Sequence, residues 1–246
     1  MVVTVVASAA TTDLASSRTS RPIIELTDLI RVFREVDVET IALRGIDLAI
    51  APGEFVAIMG RSGSGKSTLL QLLAGSDRPT AGRVIVDGID LSRADEAQRA
   101  GLRGAHVGIV FQSQNLVSFL TLRENVELTA LLAGRPIDAE TALAALRRVG
   151  LEERADHRPG QLSGGEQQRA ALAAIVVTHP PIILADEITG ELDSANAGLL
   201  LDLLHELHAA EAMTLILATH DPAIAERADR IVELRDGRVV SDRTRS

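Results

Sequence analysis

The sequence predicts an α/β fold built on a mostly parallel sheet, with a helical block set into it. Three observations predict this. Short, continuously apolar runs recur along the chain: Phe55-Val56-Ala57-Ile58-Met59, Val107-Gly108-Ile109-Val110, Ile182-Ile183-Leu184-Ala185 and Leu215-Ile216-Leu217-Ala218. Such runs read as strands buried on both faces, the pattern of a parallel sheet. Helical patterns separate them, as crossovers between parallel strands require. Between the second and third runs, residues 121–149 carry two helical patterns and no strand, consistent with an inserted helical subdomain.

Taken in order, Ile23-Ile24-Glu25-Leu26 opens the fold as a short strand. Residues 40–50 alternate as a second strand through Ile41, Leu43, Ile46, Leu48 and Ile50, and Pro52-Gly53 turns the chain. The strand 54–59 leads into a glycine-rich loop, and Leu69-Leu70-Gln71-Leu72-Leu73-Ala74 reads as the following helix, ended by Gly75. Residues 83–88 form a strand with a tight turn, and residues 95–103 a polar helix. The strand 106–111 gives way to an irregular stretch, 113–120. Thr121-Leu122-Arg123-Glu124 has the form of a capping box and opens a helix with Leu122, Val126, Leu128, Leu131 and Leu132 on or near one face. Asp138 caps the next helix. A helix over 162–177 precedes the strand 182–187, which finishes in two carboxylates. Residues 193–210 form an amphipathic helix, buried through Leu199, Leu200, Leu203, Leu204 and Leu207. The strand 213–218 ends in Thr219-His220-Asp221, and Asp236-Gly237 marks a closing hairpin.

Composition narrows the function. The net charge is −9, with no overall basic surplus for wrapping nucleic acid. Aromatic residues make up 2%, with no Trp or Tyr, which gives poor support to a base-stacking platform for single-stranded nucleic acid. There is no cysteine, so disulfides, thiolate metal sites and cysteine nucleophiles are excluded. No apolar run reaches the roughly 18 to 20 residues of a spanning helix. Residues 1–22, rich in Ala, Ser, Thr and Val, lack a basic start and read as a flexible tail rather than a signal peptide. A cytoplasmic protein is expected, peripheral at the inner face of the membrane if it acts there through a partner.

The chemistry centres on Gly60-Arg61-Ser62-Gly63-Ser64-Gly65-Lys66-Ser67-Thr68, which matches the P-loop pattern between a strand and a helix. Its glycines let successive backbone N–H groups converge on one phosphate, aided by the helix dipole. Lys66 supplies an ammonium for the β- and γ-phosphates, and Ser67 a hydroxyl for Mg²⁺. In a parallel sheet ligand groups gather at the strand ends. There, Asp186 suits a Mg²⁺ ligand, direct or through water. Glu187 suits a general base, Gln112 a neutral amide for metal or attacking water, and His220 a donor to the γ-phosphate. A second anchor is Leu162-Ser163-Gly164-Gly165-Glu166-Gln167-Gln168-Arg169. Ser163 and Glu166 fit a capping box. A capping box does not need two glycines, whereas close approach of a phosphate to a helix start does.

With these stretches in hand, residues 23–238 resemble the nucleotide-binding subunit of ATP-binding-cassette (ABC) transporters. Residues 60–68 resemble the family's Walker A, 182–187 its Walker B and 162–169 its signature. Gln112 falls at the Q-loop, His220 at the switch histidine, and Gly190-Glu191-Leu192-Asp193 at the D-loop. The resemblance implies a P-loop NTPase fold with a mostly parallel core sheet, an antiparallel β subdomain and a helical subdomain at about 113–178, the whole domain spanning 23–241 before a tail at 242–246. It implies ATP and Mg²⁺. It implies a head-to-tail pair in which Ser163, Gly164 and Gly165 serve the nucleotide of a second copy, with Asp193 nearby, and a membrane permease as partner. Phe111-Gln112-Ser113-Gln114-Asn115-Leu116 and Leu120-Thr121-Leu122-Arg123-Glu124-Asn125-Val126 resemble the lipoprotein-release and macrolide-export branch. There, Phe33 aligns with the aromatic that stacks on adenine. A soluble cassette acting on nucleic acid is the competing reading; the single cassette, the absence of cysteine and the negative charge favour transport. A permease that transmits force rather than exporting is not separated from it. Two departures stand out. Ile188 replaces the family's usual proline after the glutamate and can loosen the placement of Glu187. Ala174-Ile175-Val176-Val177 lacks a usual arginine. The reacting groups remain, so an active ATPase is expected.

Overall fold

The computed structural model describes residues 21–35, 38–112, 115–190 and 192–245. Most of the expected N-terminal tail, together with Ser113, Gln114, Glu191 and Ser246, lies outside them.

Among the described residues ten strands form two sheets. β1 (Ile24–Glu35), β2 (Val38–Ile50), β4 (Ala81–Val86) and β5 (Ile89–Asp90) make an antiparallel sheet in the order β2-β1-β4-β5. β3 (Phe55–Met59), β6 (Val107–Val110), β7 (Ile182–Asp186), β8 (Thr214–Thr219), β9 (Arg230–Arg235) and β10 (Arg238–Thr244) make the second, in the order β10-β9-β3-β8-β7-β6. Every pairing in it is parallel except that of β10 with β9. The continuous apolar runs therefore occupy the centre, as their sequence requires. Their registers, Met59 beside Thr219, Asp186 beside Ala218 and Val110 beside Ala185, bring the four strand ends to one edge.

The helices cover this frame. α1 (Lys66–Leu73) packs with the β1–β4 sheet and one face of the core sheet in the larger apolar cluster, and α2 (Glu96–Ala105) joins it through Leu102. α5 (Gly164–Val176) and α6 (Ser194–Glu211) cover the opposite face. α3 (Leu122–Leu132) and α4 (Ala139–Arg148) pack on α5 through Leu122, Val126, Ala142, Leu146, Ala170 and Ala173. This is the inserted helical block, and α5 is shared between it and the core. α7 (Pro222–Ala225) is one short turn. The capping boxes form where expected: Thr121 Oγ1 accepts from Glu124 N at 3.2 Å, and Thr121 N donates to Glu124 Oε2 at 2.7 Å.

Five local expectations are corrected. β1 does not stop at Leu26; it continues to Glu35 through a bulge, with Asp28 in the left-handed region (φ 43°) donating its N–H to Asp47 Oδ1. A polar bulge residue hides a strand from any apolar pattern. Residues 242–244 belong to β10 and not to a tail, held by Asp242 against Arg230 at 2.7 Å. β7 ends at Asp186, and Glu187 lies beyond it at φ 48°. On α6 the buried face runs through Leu200, Leu201, Leu204 and Leu207, while Leu199 is 58% exposed. On α3, Leu131 and Leu132 point to solvent.

Candidate nucleotide site

α1 begins without a side-chain cap, whereas every other α-helix among the described residues has one, from Asp95, Thr121, Asp138, Ser163, Asp193 or Asp221. A helix start carries N–H groups with no intrahelical acceptor and the positive end of the dipole. Gly65, at its N-cap, has φ 105°, and a Cβ there would lie 2.7 Å from Ala42 O. No other residue type fits that position. Backbone hydrogen bonds tie the loop to its surroundings: Gly60 N donates to Thr219 O at 3.2 Å and Gly237 N to Ser64 O at 3.1 Å. Arg61, Ser62 and Gly63 lie on the open side, lining with Ser64 a polar cavity of about 450 Å³. Thr68 lies in the first turn of α1.

Lys66 is 4% exposed. Its Nζ donates to Gly60 O at 2.9 Å and to Arg61 O at 3.3 Å, and lies 3.1 Å from Glu187 Oε1. The other oxygen of the same carboxylate, Glu187 Oε2, lies 3.3 Å from His220 Nδ1. So Glu187 sits between the P-loop lysine and the residue at the end of β8. Its left-handed backbone turns the side chain out of the strand, with Glu187 N donating to Ala218 O and Gly190 N to Glu187 O. Ile188 is 2% exposed and packs in the core beneath this turn.

Asp186 and Ser67 line one cavity. Burial pushes its carboxyl above the usual range, against the lowering effect of the Ser67 hydroxyl. Its Oδ1 is buried with no hydrogen-bond partner. Gln112 follows β6, and its amide lies beside Gly190, where a Cβ would meet Nε2 at 3.4 Å. Glu187, Asp186, Ser67, Lys66, His220 and Gln112 thus gather at one sheet edge. Phe33 lies on β1, on the wall of a cavity of about 300 Å³ that also includes Ser67, Phe111 and Asp186; the Arg31 guanidinium sits 4.3 Å from its ring centroid.

Residues 163–166 form the capped start of α5. Ser163 N and Ser163 Oγ both donate to Glu166 Oε2 at 2.8 Å, and these two bonds hold the Glu166 carboxyl below its ordinary range, while Ser163 Oγ accepts from Glu166 N. Ser163 and Gly164 are exposed. Gly165 is buried against Asn196 of α6, where a Cβ would meet Asn196 Oδ1 at 3.1 Å, so it is needed for packing as well. Asp193 caps α6, accepting from Asn196 N at 2.9 Å and from Asn196 Nδ2 at 2.7 Å. Among the described residues no hydrogen bond or ion pair joins 163–166 to 60–68. Sequence reasoning missed Asn115 and Gln168, which tie the end of β6 to α5; the only signal was that both lie inside quoted motifs.

The ABC transporter family model matches residues 43–190. The macrolide export ATP-binding/permease protein MacB of Hyphomonas neptunium is 49% identical over 223 residues, 90% of this chain and 34% of that protein. That of Rhodospirillum rubrum is 49% identical over 226 residues, covering 91% and 35%. The chain therefore spans about a third of the length of the curated relatives it matches. Among solved structures, a dimeric post-hydrolysis state of the ATP-binding cassette MJ0796 bound to ADP and Pi superposes with a TM-score of 0.84 at 38% identity, covering 91% of this chain and 99% of that one. CbiO1 from Clostridium perfringens, part of the ABC transporter complex cbiONQ, gives 0.79 at 30% identity, covering 91% and 89%.

Proposed function

The chain belongs to the ABC transporter family, and from that premise we propose that it binds ATP and Mg²⁺ between two copies of itself and hydrolyses the ATP to drive a membrane permease. The observation that carries this is the split of the site. Lysine, both carboxylates and histidine converge at one sheet edge, while among the described residues the exposed start of α5 makes no hydrogen bond or ion pair to the P-loop. A head-to-tail pair joins the two halves.

In this reading the uncapped start of α1 and Lys66 hold the phosphates. Glu187 orients and deprotonates the attacking water, and His220 donates to the γ-phosphate. Ser163 and Gly164 seal the nucleotide of the other copy, and Phe33 meets the adenine once Arg31 gives way. Mg²⁺ fits the corner made by Asp186, Ser67 and Gln112, all hard oxygen donors, and the unpartnered buried Asp186 Oδ1 supports it. The ion would neutralise charge on the β- and γ-phosphates.

No helix among the described residues is long and apolar enough to cross a membrane. The permease is proposed to dock around residues 112–132. Phe119 and Leu132 are 72% and 74% exposed there, and Leu132 lines a cavity of about 340 Å³ between α2, α3 and α5. The named relatives export macrolides; for this chain we propose export or extraction of a lipoprotein, peptide or drug-like substrate from the inner face of the membrane. The test is phosphate release by the purified protein with ATP. Release that requires Mg²⁺ and disappears in Lys66→Ala supports the reading, and release unaffected by either change refutes it.

A further inference from the structure

We infer that Gln168 and Asn115 form a clasp that transmits the state of the phosphate end of one site to the signature start serving the other, making both positioning residues for hydrolysis. This rests on the paired reading above and adds residues to it.

The clasp is built from side chains with nearly all their polar capacity used. Gln168 is 7% exposed, on the second turn of α5. Its Nε2 donates to Phe111 O at 3.3 Å and to Gln112 O, and its Oε1 accepts from Asn115 Nδ2 at 3.2 Å. Asn115 in turn donates to Phe111 O and accepts from Phe111 N, both at 2.7 Å. A buried amide must be satisfied, and here all three of its hydrogen bonds go to one strand end and its partner asparagine. Apolar packing alone would place a leucine at this point of a helix facing a core. The amide instead reads the backbone of the residue proposed to touch the metal.

The geometry gives the clasp two ends. On one side, Gln112 lies beside Gly190 and the turn that carries Glu187. On the other, Gln168 is five residues past Ser163, about 7.5 Å along a rigid helix. A shift of the Gln112 backbone when nucleotide arrives therefore pulls on α5, and α5 carries Ser163 and Gly164 with it. The link runs through hydrogen bonds to backbone carbonyls, which have direction, rather than through packing, which slides.

The test compares wild type with Gln168→Leu, Asn115→Ala and the double variant, each measured for thermal midpoint, nucleotide affinity of the single subunit, and ATP turnover. The same changes are made in a Glu187→Gln background to follow ATP-driven pairing. Asn115 is only half-buried, so its variant keeps the test alive if Gln168→Leu folds poorly. The expected result is subunit affinity within about twofold of wild type, with pairing and turnover lowered about tenfold. The double variant should be little worse than either single one, the mark of two groups acting through one link. Pairing and turnover equal to wild type overturn the clasp, as does a loss of affinity matching the loss of turnover. A wild-type protein that neither pairs nor hydrolyses ATP overturns the functional reading and the clasp together.

Discussion

The Lys66 ammonium and the Glu187 carboxylate lie 3.1 Å apart, with the lysine nearly inaccessible to solvent. The ammonium that should meet the terminal phosphate is thus held by the carboxylate that should meet the attacking water. In the proposed reading, binding of a triphosphate exchanges this internal partner for a ligand and frees Glu187 for the reaction.

Replacing Lys66 with alanine removes charge-assisted bonds to phosphate and strands Glu187. The expected loss of ATP affinity is about 2–3 kcal/mol, or roughly 30- to 150-fold. Titration of a fluorescent ATP analogue measures it. An affinity unchanged within threefold would remove the lysine from the site.

Glu187→Gln keeps the size of the side chain and its contact with His220 while removing the base. Turnover is expected to fall about 10²- to 10⁴-fold, with ATP affinity equal to or tighter than wild type because Lys66 is released. Single-turnover phosphate release against equilibrium binding separates the two. A parallel fall in both would assign Glu187 to binding rather than chemistry.

Asp186 gives a pH dependence with a defined sign. Burial holds its folded-state pKa above the ordinary carboxylate value, so between the two values the folded chain binds more protons than the unfolded one. Stability of the ligand-free protein from this group therefore falls as pH rises through that window. Mg²⁺ needs the ionised form, so the metal requirement should steepen as pH falls toward the raised pKa. Asp186→Asn should raise the ligand-free thermal midpoint at neutral pH and abolish the further rise given by Mg²⁺ with ATP. A destabilised variant that still responds to Mg²⁺ is the contrary result.

Much of the site was legible because the groups proposed to hold phosphate also dictate local structure. The glycines of 60–65, the cap at Ser163 and the two carboxylates at and just after the end of β7 each leave a residue-type pattern. What the sequence hid depends on register and on groups far apart in the chain. The bulge at Asp28 masks the length of β1, because a polar residue breaks the alternation without ending the strand. The swap of Leu199 for Leu201 on α6 reflects which side the core lies on, which helical spacing alone leaves open. The partnership of Gln168 with residues 111 and 115 spans more than 50 positions and has no local signature.

Ile188 shows how a departure from the family pattern is accommodated. Its side chain is buried beneath the Glu187 turn, so packing fixes there what proline fixes by restricting the backbone. Ile188→Ala should cost about 2–5 kcal/mol of stability and lower turnover more than ATP affinity. Chemical denaturation with parallel kinetics measures both, and an unchanged turnover would show that the turn is held by other contacts.

The account turns on two copies closing over nucleotide, and the molar mass of Glu187→Gln by light scattering tests it most directly. With ATP and Mg²⁺ the mass should double, and it should return to that of one chain when Ser163→Arg is added. A mass that stays at one chain across all ATP concentrations, while ATP is shown to be bound, would contradict it.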